Sequence, residues 1–469
     1  MNRSVRWYDY ITININWFAL TARSQVLTPL IIPLLVQQFV GEATKGARVG
    51  EIRLYALMLA ILVQAFMGMV SDRSQSRWGR RRPFIFIGTI GEVIVFAAIG
   101  FVAGLEGMTG YWVLFALYLL SMFTSNTSHA ATQGLIPDLV PDEKKGKFSG
   151  VKALMELPFP LIFVSFVIAN IVAGGNLSRA LLVLSASMLF CMLVTMFVPE
   201  KRLEIKPPPI DWSYILRLLV MTVGFTLIIL GVGQAVKWVT RFGNNMAGTG
   251  GLLLVGSAGL IGMAISVVLG VVISIRISMG KEAKASRSFT WWVVNRLAFL
   301  VAANNLATFL VFFLQERFAN FTSQEAAKPA ANVILFVGVF IILSAVPGGW
   351  LADRFGKRKL LVFAAIIPTF GVMLVVFGPG MTAIYAGASL VGIGTGLFYS
   401  VNWALGTAIV PKEKAGQYLG LQNLAGAGAG AVGAYIGGPI ADNTSYVLLM
   451  TIYGLMFLLS IVALYGIKE

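Results

Sequence analysis

The same short basic loop occurs twice in this chain, each time between two apolar runs. The first copy is Gly68-Met-Val-Ser-Asp72-Arg73, continued by Arg77, Gly79, Arg80, Arg81 and Arg82. The second is Gly349-Trp-Leu-Ala-Asp353-Arg354-Phe-Gly356-Lys357-Arg358. A helix needs about 20 apolar residues to cross a hydrocarbon core, and the flanking runs have that length. A duplicated hairpin between two such runs predicts two homologous halves, each built from helical spans.

The chain has 469 residues, 57% of them hydrophobic and only 12% charged. No soluble core of this length could enclose so much apolar surface, but a bilayer can. Apolar segments fall near 12–39, 52–71, 84–105, 111–137, 151–174, 178–198, 213–236, 250–275, 290–314, 331–351, 360–378, 382–409, 417–440 and 445–466. That is about fourteen spans by length. The expected fold is all-α and membrane-integral. The first apolar run is too long for a signal peptide and is read as a retained span.

The net charge of +16 lies in short loops. Loops 72–83, 142–147, 200–206, 276–287, 353–359 and 412–414 all carry Lys or Arg and share one side by span parity. The positive-inside rule makes that side the cytoplasm and places both termini there, in a plasma (inner) membrane. The rule also accounts for the basic charge without nucleic acid, which is not expected as a partner. The loop 237–249 is an exception, with Lys237 and Arg241 on the opposite side. The single cysteine, Cys191, excludes an intrachain disulfide.

The repeat extends past the loop. Asn16-Trp-Phe in the first span matches Asn295-Arg-Leu, and the fourth-span exit Gly134…Pro141-Asp-Glu-Lys144 matches Gly406…Pro411-Lys-Glu-Lys414. Three pairs in the same order give a six-plus-two-plus-six plan. The expected boundaries are residues 1–199 for the first bundle, 200–288 for a basic linker with two additional spans, and 289–469 for the second bundle. Repeats of this kind are a hallmark of alternating-access carriers.

The pattern Gly-x-x-x-Asp-Arg-x-x-Gly-Arg-Arg resembles the loop signature of the major facilitator superfamily, with an insertion at Ser74-Gln-Ser76 in the first copy. The resemblance covers nearly the whole chain except about residues 210–285. The form Asp-Arg followed by Ser-Arg-Trp-Gly-Arg-Arg-Arg-Pro is similar to that of the glycoside–pentoside–hexuronide cation symporters and of the sucrose transporters with their bacterial relatives. This resemblance implies two six-helix bundles with two extra central helices. It also implies alternating access and cation-coupled, proton-driven symport of a sugar or glycoside, with a proton-linked exporter of amphiphilic compounds as the alternative. Exporters of the superfamily often carry a Gly-Pro-rich motif in the fifth span, which here reads Leu157-Pro-Phe-Pro160 without glycines. No cofactor is expected beyond a proton or sodium gradient, and the chain is expected to work as a monomer in the lipid bilayer. No HExxH, P-loop or Ser-His-Asp pattern suggests an enzyme.

Several residues could carry the chemistry. Asp72, Arg73, Arg80 and Arg81, with Asp353, Arg354 and Arg358, fit gating loops in which the carboxylate locks the hairpin. The simpler role for the basic members is orientation in the membrane. Ionisable groups inside spans are costly, so Arg23, Asp138, Glu156 and His129 are coupling candidates. Asp138 matches the fourth-span acid of sucrose transporters, although the family's Arg five positions earlier is Gln133 here. A latch with the basic loops is the other role open to Asp138. Glu156 can instead pair locally with Lys152, and His129 can serve as a hydrogen-bonding group.

In the superfamily the first, fourth, seventh and tenth major helices line a central cavity. On those helices and the eleventh lie Gln25, Asn126, Gln133, Asn304, Asn305, Asn402, Trp403 and Asn423, whose amides and indole suit sugar hydroxyls and a pyranose face. Interhelical hydrogen bonding is the alternative for each. Gly426, Gly430, Gly433 and Gly437 predict close packing of the eleventh major helix.

Overall fold

The structure is a computed structural model. It describes residues 6–200, 202, 209–246, 249–279, 287–409 and 415–467, excluding the side chains of 407 and 415–425. Asn423 and the basic loop at 412–414 therefore lie outside the described residues.

Among the described residues the chain is helical without strands. The long helices are α1 (Asp9–Val40), α2 (Lys45–Asp72), α3 (Arg82–Val102), α4 (Gly107–Leu139), α5 (Asp142–Ala173), α6 (Leu177–Thr195) and α7 (Trp212–Asn244). They continue as α8 (Thr249–Met279), α9 (Arg287–Thr308), α10 (Leu310–Arg317), α11 (Ser323–Phe355), α12 (Lys357–Phe377), α13 (Gly380–Ile409), α14 (Ala415–Asn443) and α15 (Tyr446–Leu464). Twelve of these are long and apolar enough to span a membrane, or up to 13 with α9 and α10 as one span bent by 59°. The helix α14 adds a further 29 residues. The expected total of about fourteen is thus approximate. Several helices run past the apolar segment into polar residues, as α5 does from Asp142, because hydropathy marks the hydrocarbon core and not the end of the backbone ladder.

Two compact units are formed. The first contains residues Met1–Phe39 and Leu59–Ile215, and the second contains Val40–Met58 and Leu216–Glu469. The division falls inside α2.

Within the first unit, α1 is the interior helix, with 72% of its spanning window buried. Its regular ladder gives way to a π segment at Leu27–Ile31. Pro29 has no N–H to donate, so the preceding turn must re-register there. A second π segment interrupts α5 at Val164–Ile168, just after Pro158 and Pro160. Helix α3 lies close on α4, because a Cβ on Gly88 would come within 2.6 Å of the Thr124 carbonyl oxygen. Ile13, Ile85, Leu135, Phe148 and Met192 belong to one buried cluster.

In the second unit, α7 and α8 pack against the bundle and do not stand apart from it. Phe225 of α7 fits between Gly270 of α8 and Gly428 of α14, and Gln234 Nε2 donates to the Tyr435 hydroxyl at 3.2 Å. Only 22% of the α7 window is buried, so its other face is left for lipid. The glycines of α14 serve several neighbours: Gly430 faces Leu57 and Arg53 of α2, Gly433 faces Asn305 of α9, and Gly437 faces Tyr453 of α15. Gly433→Val is expected to destabilise the protein by about 1–3 kcal/mol through overpacking. Thermal unfolding in detergent measures this, and an unchanged midpoint would show that Asn305 can yield.

Candidate functional site

The first basic loop is organised around one guanidinium. Arg81 Nε donates to Asp138 Oδ2 at 2.8 Å, its Nη1 donates to Ser71 Oγ at 2.5 Å, and its Nη2 pairs with Asp72. Arg80 pairs with the other oxygen of Asp138. Arg81 is only 5% exposed. A planar fork can hold three partners in fixed directions, which an ammonium cannot. Burial works against the charge of Arg80, but Asp138, Asp72 and Glu200 outweigh it and hold its pKa above the ordinary value. Arg73 lies nearby, with Nη1 donating to the Met69 carbonyl at 3.1 Å.

Glu200, just beyond α6, completes the arrangement. Its carboxylate accepts the backbone N–H of Arg81 at 2.7 and 2.8 Å and that of Arg82 at 3.1 Å, at the start of α3. Carboxylates are favoured at such helix N-termini. Gly79 has φ +107, and Glu200 occupies the space its Cβ would need, so only glycine fits there. Sequence reading had placed Glu200 only within a basic loop. The usable signal was an isolated acid at a span exit facing a run of arginines.

The second loop has different partners. Arg354 lies over the Trp350 and Phe355 rings at 5.5 and 5.7 Å, and Arg358 donates to the Leu464 carbonyl at 3.3 Å. Asp353 forms no ion pair among the described residues. Counting back three residues from each repeat proline, Asp138 before Pro141 corresponds to Ala408 before Pro411. The second copy therefore lacks the carboxylate that holds the first.

The halves do share a polar bridge. In the first unit Asn16 of α1 donates to Ser128 Oγ at 3.2 Å and Thr132 Oγ1 at 2.7 Å on α4. In the second, Asn402 of α13 donates to Asn295 Oδ1 of α9 at 2.9 Å. Asn16 and Asn295 are repeat equivalents, and so are Thr132 and Asn402, each nine residues before its proline. The same joint between first and fourth helix is made in both units by different side chains.

The candidate coupling residues other than Asp138 fall into two groups. Arg23 Nε is 2.7 Å from Glu92 Oε1, and both are buried. Ser121 donates to the same oxygen at 2.6 Å, while Thr124 donates to the other and Arg23 also donates to Ser121. Arg23 is thus neutralised inside the first unit. The second group joins α1, α4 and α5. His129 packs edge-on to Trp17 with centroids 5.3 Å apart and lies 3.3 Å from Gln133 Nε2. Lys152 Nζ sits 3.8 Å over the Trp17 ring and 3.5 Å from Glu156.

The remaining candidates differ in accessibility. Gln25 is half-buried in the last turn before the π segment, and Trp403 is exposed. Asn126 is buried, with its N–H on the Met122 carbonyl at 2.8 Å. Asn304 donates to the Gly426 carbonyl at 3.2 Å, and Asn305 donates to those of Val301 and Ala429 at 2.8 and 3.2 Å. Both asparagines therefore tie α9 to α14. Asn402 is fully buried and accepts from Arg296 Nη1 at 2.9 Å. No carboxylate pairs with Arg296 among the described residues.

Repeated helical spans among the described residues, with charged loops and buried polar joints, make this a polytopic membrane protein. The family model described as the Major Facilitator Superfamily matches residues 15–317 and 296–469, and the chain belongs to that family, one of transporters rather than enzymes. Among curated relatives, the di-/tripeptide transporter of Lactobacillus helveticus is 33% identical over 69 residues, 14% of each chain. Sucrose transport protein SUT4 of Oryza sativa subsp. indica is 28% identical over 183 residues, covering 32% of this chain and 30% of its own. The chain thus spans less than a third of the length of these relatives. A solved D-xylose–proton symporter superimposes with a TM-score of 0.67 at 14% identity over 98% of both chains. A likeness at that identity extends to the fold alone.

Proposed function

We propose that this protein is a secondary active transporter that works by alternating access and couples inward movement of a sugar or glycoside to a proton. It acts as a monomer in the plasma (inner) membrane with both termini in the cytoplasm. The observation that carries the reading is the group Trp17, His129, Gln133, Lys152 and Glu156, which three helices of the first unit bring together. It offers an aromatic face, an amide and titratable groups, a combination that suits hydroxyl-rich rings. The sucrose-transporter relative supports the same substrate class. An ion gradient supplies the energy, without a cofactor. Asp138 acts as a latch, given its two arginine partners, and Glu156 is the acid placed to exchange a proton.

Uptake into proteoliposomes tests this. Labelled sucrose or melibiose should accumulate under an inward proton gradient and stop when the gradient is collapsed. Gln133→Ala should reduce uptake about tenfold, the cost of about 1.4 kcal/mol at the transition state. Efflux of amphiphilic dyes without sugar uptake would reject the reading. A small peptide or other zwitterion is the second reading, favoured by the Lys152–Glu156 pair. Uptake of a labelled dipeptide in the same vesicles separates the two.

A further inference from the structure

A cavity of about 400 Å³ opens in the second unit. It is lined by the first turns of α2, the last turns of α7 and the end of α14. Most of its charge is already matched. Arg48 pairs with Glu51 at 2.6 Å, and Asp442 accepts the backbone N–H groups of Gly46 and Ala47 at 2.8 and 2.7 Å. Lys237 and Arg241, one turn apart on α7, form no ion pair among the described residues. The Lys237 ammonium lies 5.5 Å from the Tyr435 ring centroid. Both cations fall, by span parity, on the side opposite the basic loops of the sequence, so the positive-inside rule does not account for them.

The adjacent face of α7 fixes the depth of the cavity. Trp238 and Phe242 immediately follow the two cations, are 72% and 58% exposed, and stack with centroids 6.4 Å apart. Exposed aromatics of this kind mark the membrane–water boundary. Below them Val223 and Leu227 present an apolar face. A cationic recess at headgroup level, above an apolar helix surface, matches an amphiphile with an anionic head.

We propose that this cavity holds the phosphate-bearing headgroup of a membrane phospholipid. Lys237 and Arg241 would contact the phosphate, and the outer face of α7 would lie along the acyl chains. Cationic groups at such a surface favour anionic lipid, and the guanidinium can grip two phosphate oxygens at once. The proposal gives the paired helices α7 and α8 a role in seating the second unit in lipid. It rests on the membrane fold and not on the choice of sugar as substrate.

Native mass spectrometry of the full-length protein provides the test, with phosphatidylglycerol, diacylglycerol and inorganic phosphate as probes. Phosphatidylglycerol should stay bound to the wild type, and Lys237→Gln/Arg241→Gln should reduce its retention at least about fivefold, a loss below that of a full charge-assisted contact. Arg241→Glu alone, at an exposed position that leaves the helix packing intact, should reduce it as well. Unchanged retention in both variants, or equal retention of diacylglycerol, would overturn the assignment. Displacement of the lipid by millimolar inorganic phosphate would also overturn it, marking a free-anion site instead.

Discussion

Glu92→Gln is expected to destabilise the protein by about 3–5 kcal/mol, the cost of leaving one member of a buried ion pair uncompensated. The carboxylate is fully buried and faces Arg23 at 2.7 Å, with Ser121 and Thr124 donating to its two oxygens. Neutralising it removes the only carboxylate that pairs with Arg23 among the described residues. Thermal unfolding of the purified protein in detergent measures the loss. Arg23→Met combined with Glu92→Leu should recover most of the stability, because removing both charges leaves none stranded. If the single variant melted with the wild type, the pair would contribute nothing. If the double variant were as unstable as the single one, packing and not charge would be the cause.

Arg81→Lys is expected to reduce the rate of uptake more than tenfold, or about 1.4 kcal/mol or more of activation free energy, while substrate binding is retained. Lysine keeps the charge but cannot reach Ser71, Asp72 and Asp138 together in the planar directions the guanidinium uses. The loop would then lose its clamp on α4. Counterflow and equilibrium binding in the same proteoliposomes separate rate from affinity. Asp138→Asn discriminates the two roles open to this acid. As a latch residue it should slow uptake and exchange together and leave proton dependence intact. If uptake became independent of the proton gradient while exchange persisted, Asp138 would be the coupling acid.

The spans were legible in the sequence because their cause is local. A run of apolar residues must be helical in lipid wherever it occurs, since its backbone polar groups can be satisfied only within the segment. The basic loops were legible for a similar reason: Gly79 and Gly356 adopt positive φ at the turns their motif requires. What the sequence concealed was pairing between distant helices. Arg23 stood out as a charge at depth, but nothing in its neighbourhood pointed to Glu92, 69 residues away. Asn305 and Asn402 resembled cavity residues because an amide suits a sugar and a helix–helix joint equally. The joint shows only in the partner across the helices, the Ala429 carbonyl for Asn305 and the Asn295 side chain for Asn402. The Asn16–Thr132 and Asn295–Asn402 joints were implicit in the internal repeat, yet the residues differ in type, so alignment alone could not reveal a common contact.

The position of Glu200 constrains the order of biosynthesis. It clasps the hairpin before α3, yet it follows α6 in the chain. A ribosome must therefore deliver all six leading helices before Glu200 can add its clasp to the contacts that Ser71, Asp72 and Asp138 make with Arg81. Until then Arg81 and Arg82 are without the acceptor of their backbone N–H groups, and the nascent half remains open to rearrangement. A chain truncated just before Pro199 should insert but stay sensitive to protease at the hairpin, whereas one ending a few residues later should resist.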